Sequence, residues 1–434
     1  MSHLRDASLA LDQGEDDSPL GSSLDSTSSV VFAGRHHAIH QFTLNYPRWG
    51  LDPDFGAPRR YDMPVTVQWV FATGRDHPLW TVTFDLSQAP ADAVEADFRA
   101  PYGNMNFDGT PSGQWGDVIG GVAWGESHRF VTEASELTLD SPWDWSARNS
   151  GAAYHALWTA NVDAEMGLAG TVTAARQDAG GYQGGAGRGF RSGQGVGECS
   201  AMGYLMPCVW AWPYQSVNYS FYDAAGRLAV DSTTASKRFA WGADWGSLGK
   251  RDVETVNGAR VSGWPKCSYS VYVVLGPHSE EPTLRAVRQA EAVEMSSLSC
   301  TVGSPVWSSA TGVADPAPQI LTPTGFDPVY GAWTAWADHG AVTMDFDVGA
   351  GYELENPLIL VRSYWGSEAP VVLLDGVALL PDVDYYASYR QDQHELWMTL
   401  SRTLRAQQRL TIRQVSGDTP ANSVLRVRPS RARH

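Results

Sequence analysis

The chain has 434 residues, 43% of them hydrophobic, with 31 Lys and Arg against 48 Asp and Glu, a formal net charge of −17. Its mean hydropathy of −0.27 suits a soluble globular protein, and the length points to two domains rather than one core. The negative field disfavours nucleic acid and anionic membranes as partners, and no apolar window reaches the roughly 18 residues of a membrane span.

Aromatic residues make up 11% of the chain, including 18 Trp, and Gly stands at 43. Trp pairs a rigid apolar face with one N–H donor, which suits both large β cores and sugar-stacking platforms. The four cysteines, Cys199, Cys208, Cys267 and Cys300, form no C-x-x-C pair, so zinc and thioredoxin-type chemistry lack support. Two disulfides, such as Cys199–Cys208 and Cys267–Cys300, would fit a secreted or periplasmic protein, and free thiols fit the sequence equally. The polar N-terminus carries no secretory signal, as in a mature form.

Residues 1–29 are rich in Ser, Asp and Gly and read as a loosely ordered segment. Strand character begins at Ser29-Val30-Val31-Phe32, and alternation then puts His36, Ala38, His40, Phe42, Leu44 and Tyr46 on one face. On a strand His36 and His40 stand about 13 Å apart, too far to share one ion, so no metal is expected there. Strands follow at Pro64–Phe71 and Leu79–Asp85 around the turn Thr73-Gly74-Arg75-Asp76-His77-Pro78.

Further strands are expected at Gly121–Trp124, Phe130–Thr132, Leu168–Ala174 and along the aromatic stretch Tyr204–Tyr222. The glycine-dominated run 180–197 lacks a G-K-[ST] ending and reads as a surface loop or flap, not a phosphate loop. A firm strand, Tyr269–Leu275, precedes a helix near 282–295, with Pro282 at its start and a stripe of Leu284, Val287, Ala290 and Val293. That helix closes a large β-sandwich domain, 30–303. A linker, 304–328, leads to a small immunoglobulin-like β-sandwich, 329–434. There Val342, Met344, Phe346 and Val348 alternate, Pro357–Val361 is a buried strand, and Asp375-Gly376 marks a hairpin.

In layout, the strands Pro64–Phe71, Leu79–Asp85 and Tyr269–Leu275 with a following small sandwich resemble the β-supersandwich, galactose-mutarotase-like domains of several polysaccharide lyases. The resemblance is architectural and carries over no catalytic residue. It implies a mostly β carbohydrate-active protein whose partner is a polysaccharide or oligosaccharide, with no cofactor.

Elimination at a uronate needs a group to neutralise the carboxylate, a base for the adjacent C–H and an acid for the leaving oxygen. Arg75, Asn104 and Asn106 suit the first need, and His77 or His128 the second. Glu126 stands beside His128, while Tyr102, Tyr214 or Tyr219 suit the third need. Trp124 and Trp212 are candidate stacking surfaces. A hydrolase would use two carboxylates instead, from among Asp85, Asp108, Asp117 and Glu126. A non-catalytic glycan-binding protein needs only aromatic platforms and amides. The net charge works against a polyanionic substrate and for a neutral one. No G-x-S-x-G elbow and no alternating β/α pattern supports a serine hydrolase or a nicotinamide enzyme.

Overall fold

Leu358-Ile359-Leu360-Val361 is apolar at four consecutive positions because its strand is covered on both sides. Ile359 and Val361 enter one core and Leu358 and Leu360 another. The computed structural model describes residues 26–50, 59–88, 103–106, 119–125, 129–132, 150–159, 162–175, 214–219, 237–242, 255–256, 259–260, 266–306, 319–321, 323–366 and 369–414. Within them the protein is mostly β, built as sheets packed face to face.

The large sheet is antiparallel throughout. Its strands run in the order Ser26–Ala33, His37–Gly50, Arg59–Ala72, Leu79–Asp85, Lys266–Gly276, Glu165–Ala175, Ser150–Thr159, Ile119–Gly125 and Arg129–Thr132. A middle sheet joins Ser304–Pro305, Ala332–Trp336, Leu358–Arg362, Glu395–Leu400 and Tyr385–Arg390, with one parallel pair between Ala332–Trp336 and Leu358–Arg362. An outer sheet joins Ser296–Val302, Ala341–Val348, Gln407–Arg413, Val371–Leu374 and Val377–Ala378. The hairpin turn at Asp375-Gly376 has φ of 51° and 80°, the pair of positive angles that a two-residue hairpin loop demands.

Alternation assigns the layers. Trp333, Ala335, Leu396, Met398 and Leu400 of the middle sheet meet Val342, Met344, Phe346, Leu410 and Ile412 of the outer sheet. Ala332, Leu358, Leu360 and Trp397 point the other way, onto Ile39, Val70, Leu79, Tyr154 and Tyr272 of the large sheet. Each large side chain so buried contributes about 2 kcal/mol. The sheet that covers the large sheet is thus supplied by the C-terminal region. Ser296–Val302, expected upstream of the linker, pairs with Ala341–Val348, and Gln319–Leu321 pairs with Thr173–Ala175 of the large sheet. Cys300 is a free thiol, so the Cys267–Cys300 bridge does not form, and burial beside Asp345 pushes that thiol up to about 11.

The α-helix Pro282–Glu294 buries Ala286, Val287 and Ala290 against the large sheet, and Ala292 and Val293 in the outer core. Its stripe follows the 3.6-residue period, and Pro282 occupies the first turn, where no N–H is needed. Glu165 ties this end down, accepting the Thr283 N–H at 3.1 Å and meeting His278 Nδ1 at 2.5 Å. The His278 ring stacks on Trp158 at 4.3 Å. Among the described residues no helix is long and apolar enough to cross a membrane.

The three histidines near the start separate. His36 meets Asp382 at 2.8 Å, His40 meets Ser28 at 2.7 Å, and His37 is 2% exposed between the large and middle sheets. Ser388 Oγ accepts the N–H groups of His36 at 2.8 Å and His37 at 3.1 Å, so its own proton goes to His37 Nδ1. That fixes the other ring nitrogen as the donor, to Thr399 Oγ1 at 3.0 Å. Gly34 is needed beside this node, since a Cβ there would stand 2.5 Å from Ser388 Cβ.

Burial, assisted by the neighbouring His36, lowers the His37 pKa to about 3 from 6.5. The unfolded chain therefore takes up this proton first as pH falls. The contribution of neutral His37 is complete above about pH 6.5 and is lost progressively towards pH 3, by up to about 1.4 kcal/mol per pH unit. Thermal melts across that window should show His37→Gln with a shallower acid dependence than wild type; parallel curves would contradict the assignment.

Candidate functional site

Arg75 and His77 sit in the turn between two strands of the large sheet, pressed against the C-terminal layers. Arg75 donates from Nη2 to Tyr272 Oη at 2.9 Å and from Nη1 to the Asn356 carbonyl at 3.2 Å. Its guanidinium therefore ties the large sheet to the loop before Leu358–Arg362. It also lines a crevice with Thr171, Gln289, Phe326 and Glu355. His77 is held below the usual imidazole range, first by burial and with Asp76 opposing, and its Nδ1 is buried with no partner among the described residues.

Asn104, Asn106, Tyr214 and Tyr219 belong to a separate three-stranded sheet of Gly103–Asn106, Tyr214–Tyr219 and Lys237–Gly242. Its register sets Asn106, Arg238 and Asn218 in one row, and Asn104, Ala240 and Ser216 in a row of the same parity. Tyr214, opposite Gly242, shares that parity, and Tyr219, opposite Lys237, has the other. Trp124 falls in a row through His155, Leu168 and Val273 that ends at Pro78. Four strand spacings of about 4.8 Å put it roughly 19 Å from the Arg75–His77 turn, so the two cannot grip one monosaccharide. Tyr102, Glu126, His128 and Trp212 lie outside the described residues. Of the expected set, the structure brings Arg75 to His77, and Asn104 and Asn106 to Tyr214.

A second constellation, absent from the sequence expectation, forms where the large and middle sheets part. On the middle sheet Trp336 stands opposite Arg362, and Glu395 opposite Arg390, all facing the large sheet. Arg362 reaches Asp327 at 3.2 Å and Glu395 at 3.8 Å, and Arg390 reaches Glu395 at 3.8 Å. Glu395 also accepts the Trp397 N–H at 3.2 Å. Arg390 also meets the exposed Asp392 at 3.5 Å, so two guanidinium groups face three carboxylates. Both Nε atoms are nonetheless buried without a hydrogen bond among the described residues. Burial raises the Asp327 pKa, with Arg362 opposing.

Tyr330 joins the two walls. Its ring meets Trp397 edge-on at 5.2 Å, and its hydroxyl donates to Gln68 Oε1 of the large sheet at 3.2 Å. Burial, then Asp327 and Glu395, push this phenol up to about 12, so it stays a donor at any working pH. At the rim Trp336 is 43% exposed, whereas Trp365, 54% exposed, stands on the side of Tyr389, which packs on the outer core. Arg362 lies 5.9 Å over the Trp336 ring, and His394 stacks on Trp365 at 3.5 Å while meeting Tyr389 Oη at 3.2 Å. Chemically the mouth offers the aromatic face of Trp336, a row of paired Arg and Glu side chains and a fixed phenol. One sequence signal pointed there: Leu358, Leu360 and Arg362 share parity, so a buried strand ends in a charge on its inner face.

No known family model matches the chain, and no curated protein does either.

Removing one member of this network leaves its partners uncompensated. Arg362→Met should cost about 3 kcal/mol in urea unfolding, and adding Asp327→Asn should recover part of that loss. Simple additivity of the two changes would show that the pair is not coupled.

Proposed function

We propose that the protein binds a polysaccharide at the mouth between the large and middle sheets. The observation that carries this reading is the exposed Trp336 indole in line with the polar row Arg362, Glu395 and Arg390. Sugar recognition uses an aromatic face for the C–H side of a pyranose and fixed donors and acceptors for its hydroxyls. Arg362 holds the Trp336 indole in place, so little side-chain freedom is lost on binding. The row's guanidinium groups are already faced by Asp327, Glu395 and Asp392, which together with a net charge of −17 suits a neutral sugar.

Cleavage by elimination is the second reading. Its support is the His77 imidazole, neutral through burial and with an unpartnered Nδ1 among the described residues, the state a proton-abstracting base requires. Arg75, already bonded to Tyr272 and Asn356, is less free to hold a uronate carboxylate.

One panel separates the two. On immobilised neutral and uronate glycans, Trp336→Ala should weaken retention about tenfold and Trp365→Ala should leave it unchanged, with the fold intact by circular dichroism. Ultraviolet absorbance from unsaturated ends, abolished by His77→Ala, would favour elimination. Undiminished retention in Trp336→Ala would remove the binding reading.

A further inference from the structure

The large sheet's wall of this mouth carries a regular pattern that the binding reading does not require. Thr27, Thr43, Thr66, Thr83 and Ser268 stand directly opposite one another on five adjacent strands, a single row of hydroxyls. Two residues along each strand lies a second row, Ser29, Gln41, Gln68, Thr81 and Ser270. Tyr330 touches this second row at Gln68, and the Val329 carbonyl covers Ser270 at 2.7 Å. The first row lies one step further out. Thr43, Thr66, Thr83 and Ser268 there are half-buried and Thr27 is exposed.

Hydroxyls at this density would ordinarily saturate one another, and here they do so only in part. Thr27 bonds Thr43 at 2.5 Å and Thr83 bonds Ser268 at 2.6 Å, while Thr66 between them makes no side-chain hydrogen bond among the described residues. Each bonded pair uses one of its two protons and keeps one donor and several lone pairs. Gln68 Nε2 donates to Gln41 Oε1 at 2.7 Å, which leaves the Gln41 amide protons unspent. The row is uncharged, and its members repeat at the strand spacing of about 4.8 Å over roughly 19 Å. That repeat is close to the rise of one pyranose in an extended, β-linked chain.

We infer that the ligand is an extended, neutral, β-linked polysaccharide lying across the strands, one sugar per strand along the Thr27–Ser268 row. This rests on the binding reading above and specifies its substrate class. An uncharged hydroxyl ladder offers alternating donors and acceptors to sugar hydroxyls but no countercharge to a carboxylate. The neighbouring Arg362 and Arg390 already face Asp327 and Glu395. Recognition spread over five strands favours chain interiors over chain ends.

Calorimetric titration with neutral β-1,4-linked gluco-oligosaccharides of increasing length tests this. Affinity should rise with each added unit to about five and then level off. Thr66→Val and Thr83→Val, which remove a hydroxyl and keep the shape, should each weaken the pentasaccharide about tenfold and leave the disaccharide unchanged. Equal affinity for disaccharide and hexasaccharide would overturn the ladder while leaving the Trp336 site standing. Tighter binding of uronate oligomers than of neutral ones would overturn the substrate class. No binding by any oligosaccharide would overturn both.

Discussion

The middle sheet is the constraint on which the rest depends. Its strands must satisfy two cores at once, so they alternate between two apolar sets rather than between apolar and polar. Trp397 and Met398 are neighbours in sequence and are both fully buried, on opposite sides. Through the middle of the sheet no solvent face is left to absorb a mismatch, and a change there is felt by one core or the other. A polar group caught between layers is costly unless it is paired. His37 with Ser388 and Thr399 meets that demand at one point, and Arg75 with Tyr272 and Asn356 meets it at another.

The same constraint explains why a polar mouth exists at all. The rows of the middle sheet pass from Ala332, Leu358 and Thr399, through Thr334, Leu360 and Trp397, to Trp336, Arg362 and Glu395. Where the last row emerges, the large sheet passes from Ile39, Val70 and Leu79 to Gln41, Gln68 and Thr81. Both walls change from apolar to polar together, so the sheets part without exposing a core. Tyr330 stands at the change, ring inward on Trp397 and hydroxyl outward on Gln68. The mouth is therefore a product of packing two amphipathic sheets whose apolar lengths end at the same level.

Much of the architecture was legible in the chain. Val342, Met344, Phe346 and Val348 announced a half-buried strand, Asp375-Gly376 a hairpin, and Pro282 with its apolar stripe a helix, because each signal is local and periodic. The functional site was far less legible. Arg75 and His77 stood out for their chemistry near strands, yet the register spends Arg75 on holding two layers together. Arg362, Glu395, Arg390 and Tyr330 drew no notice, since each is ordinary where it stands.

What the sequence by itself determined is the β class, the strand positions and the helix, since those follow from side-chain periods of 2 and 3.6 over short spans. Only the tertiary structure decided that the C-terminal strands would cover the large sheet. It alone set Asp327, Arg362, Glu395 and Tyr330 around one point opposite Gln68. It also aligned Thr27, Thr43, Thr66, Thr83 and Ser268 in one row. The reason is physical: strand register and sheet-on-sheet packing are fixed by burial summed over the whole interface, and no local stretch of chain carries that sum.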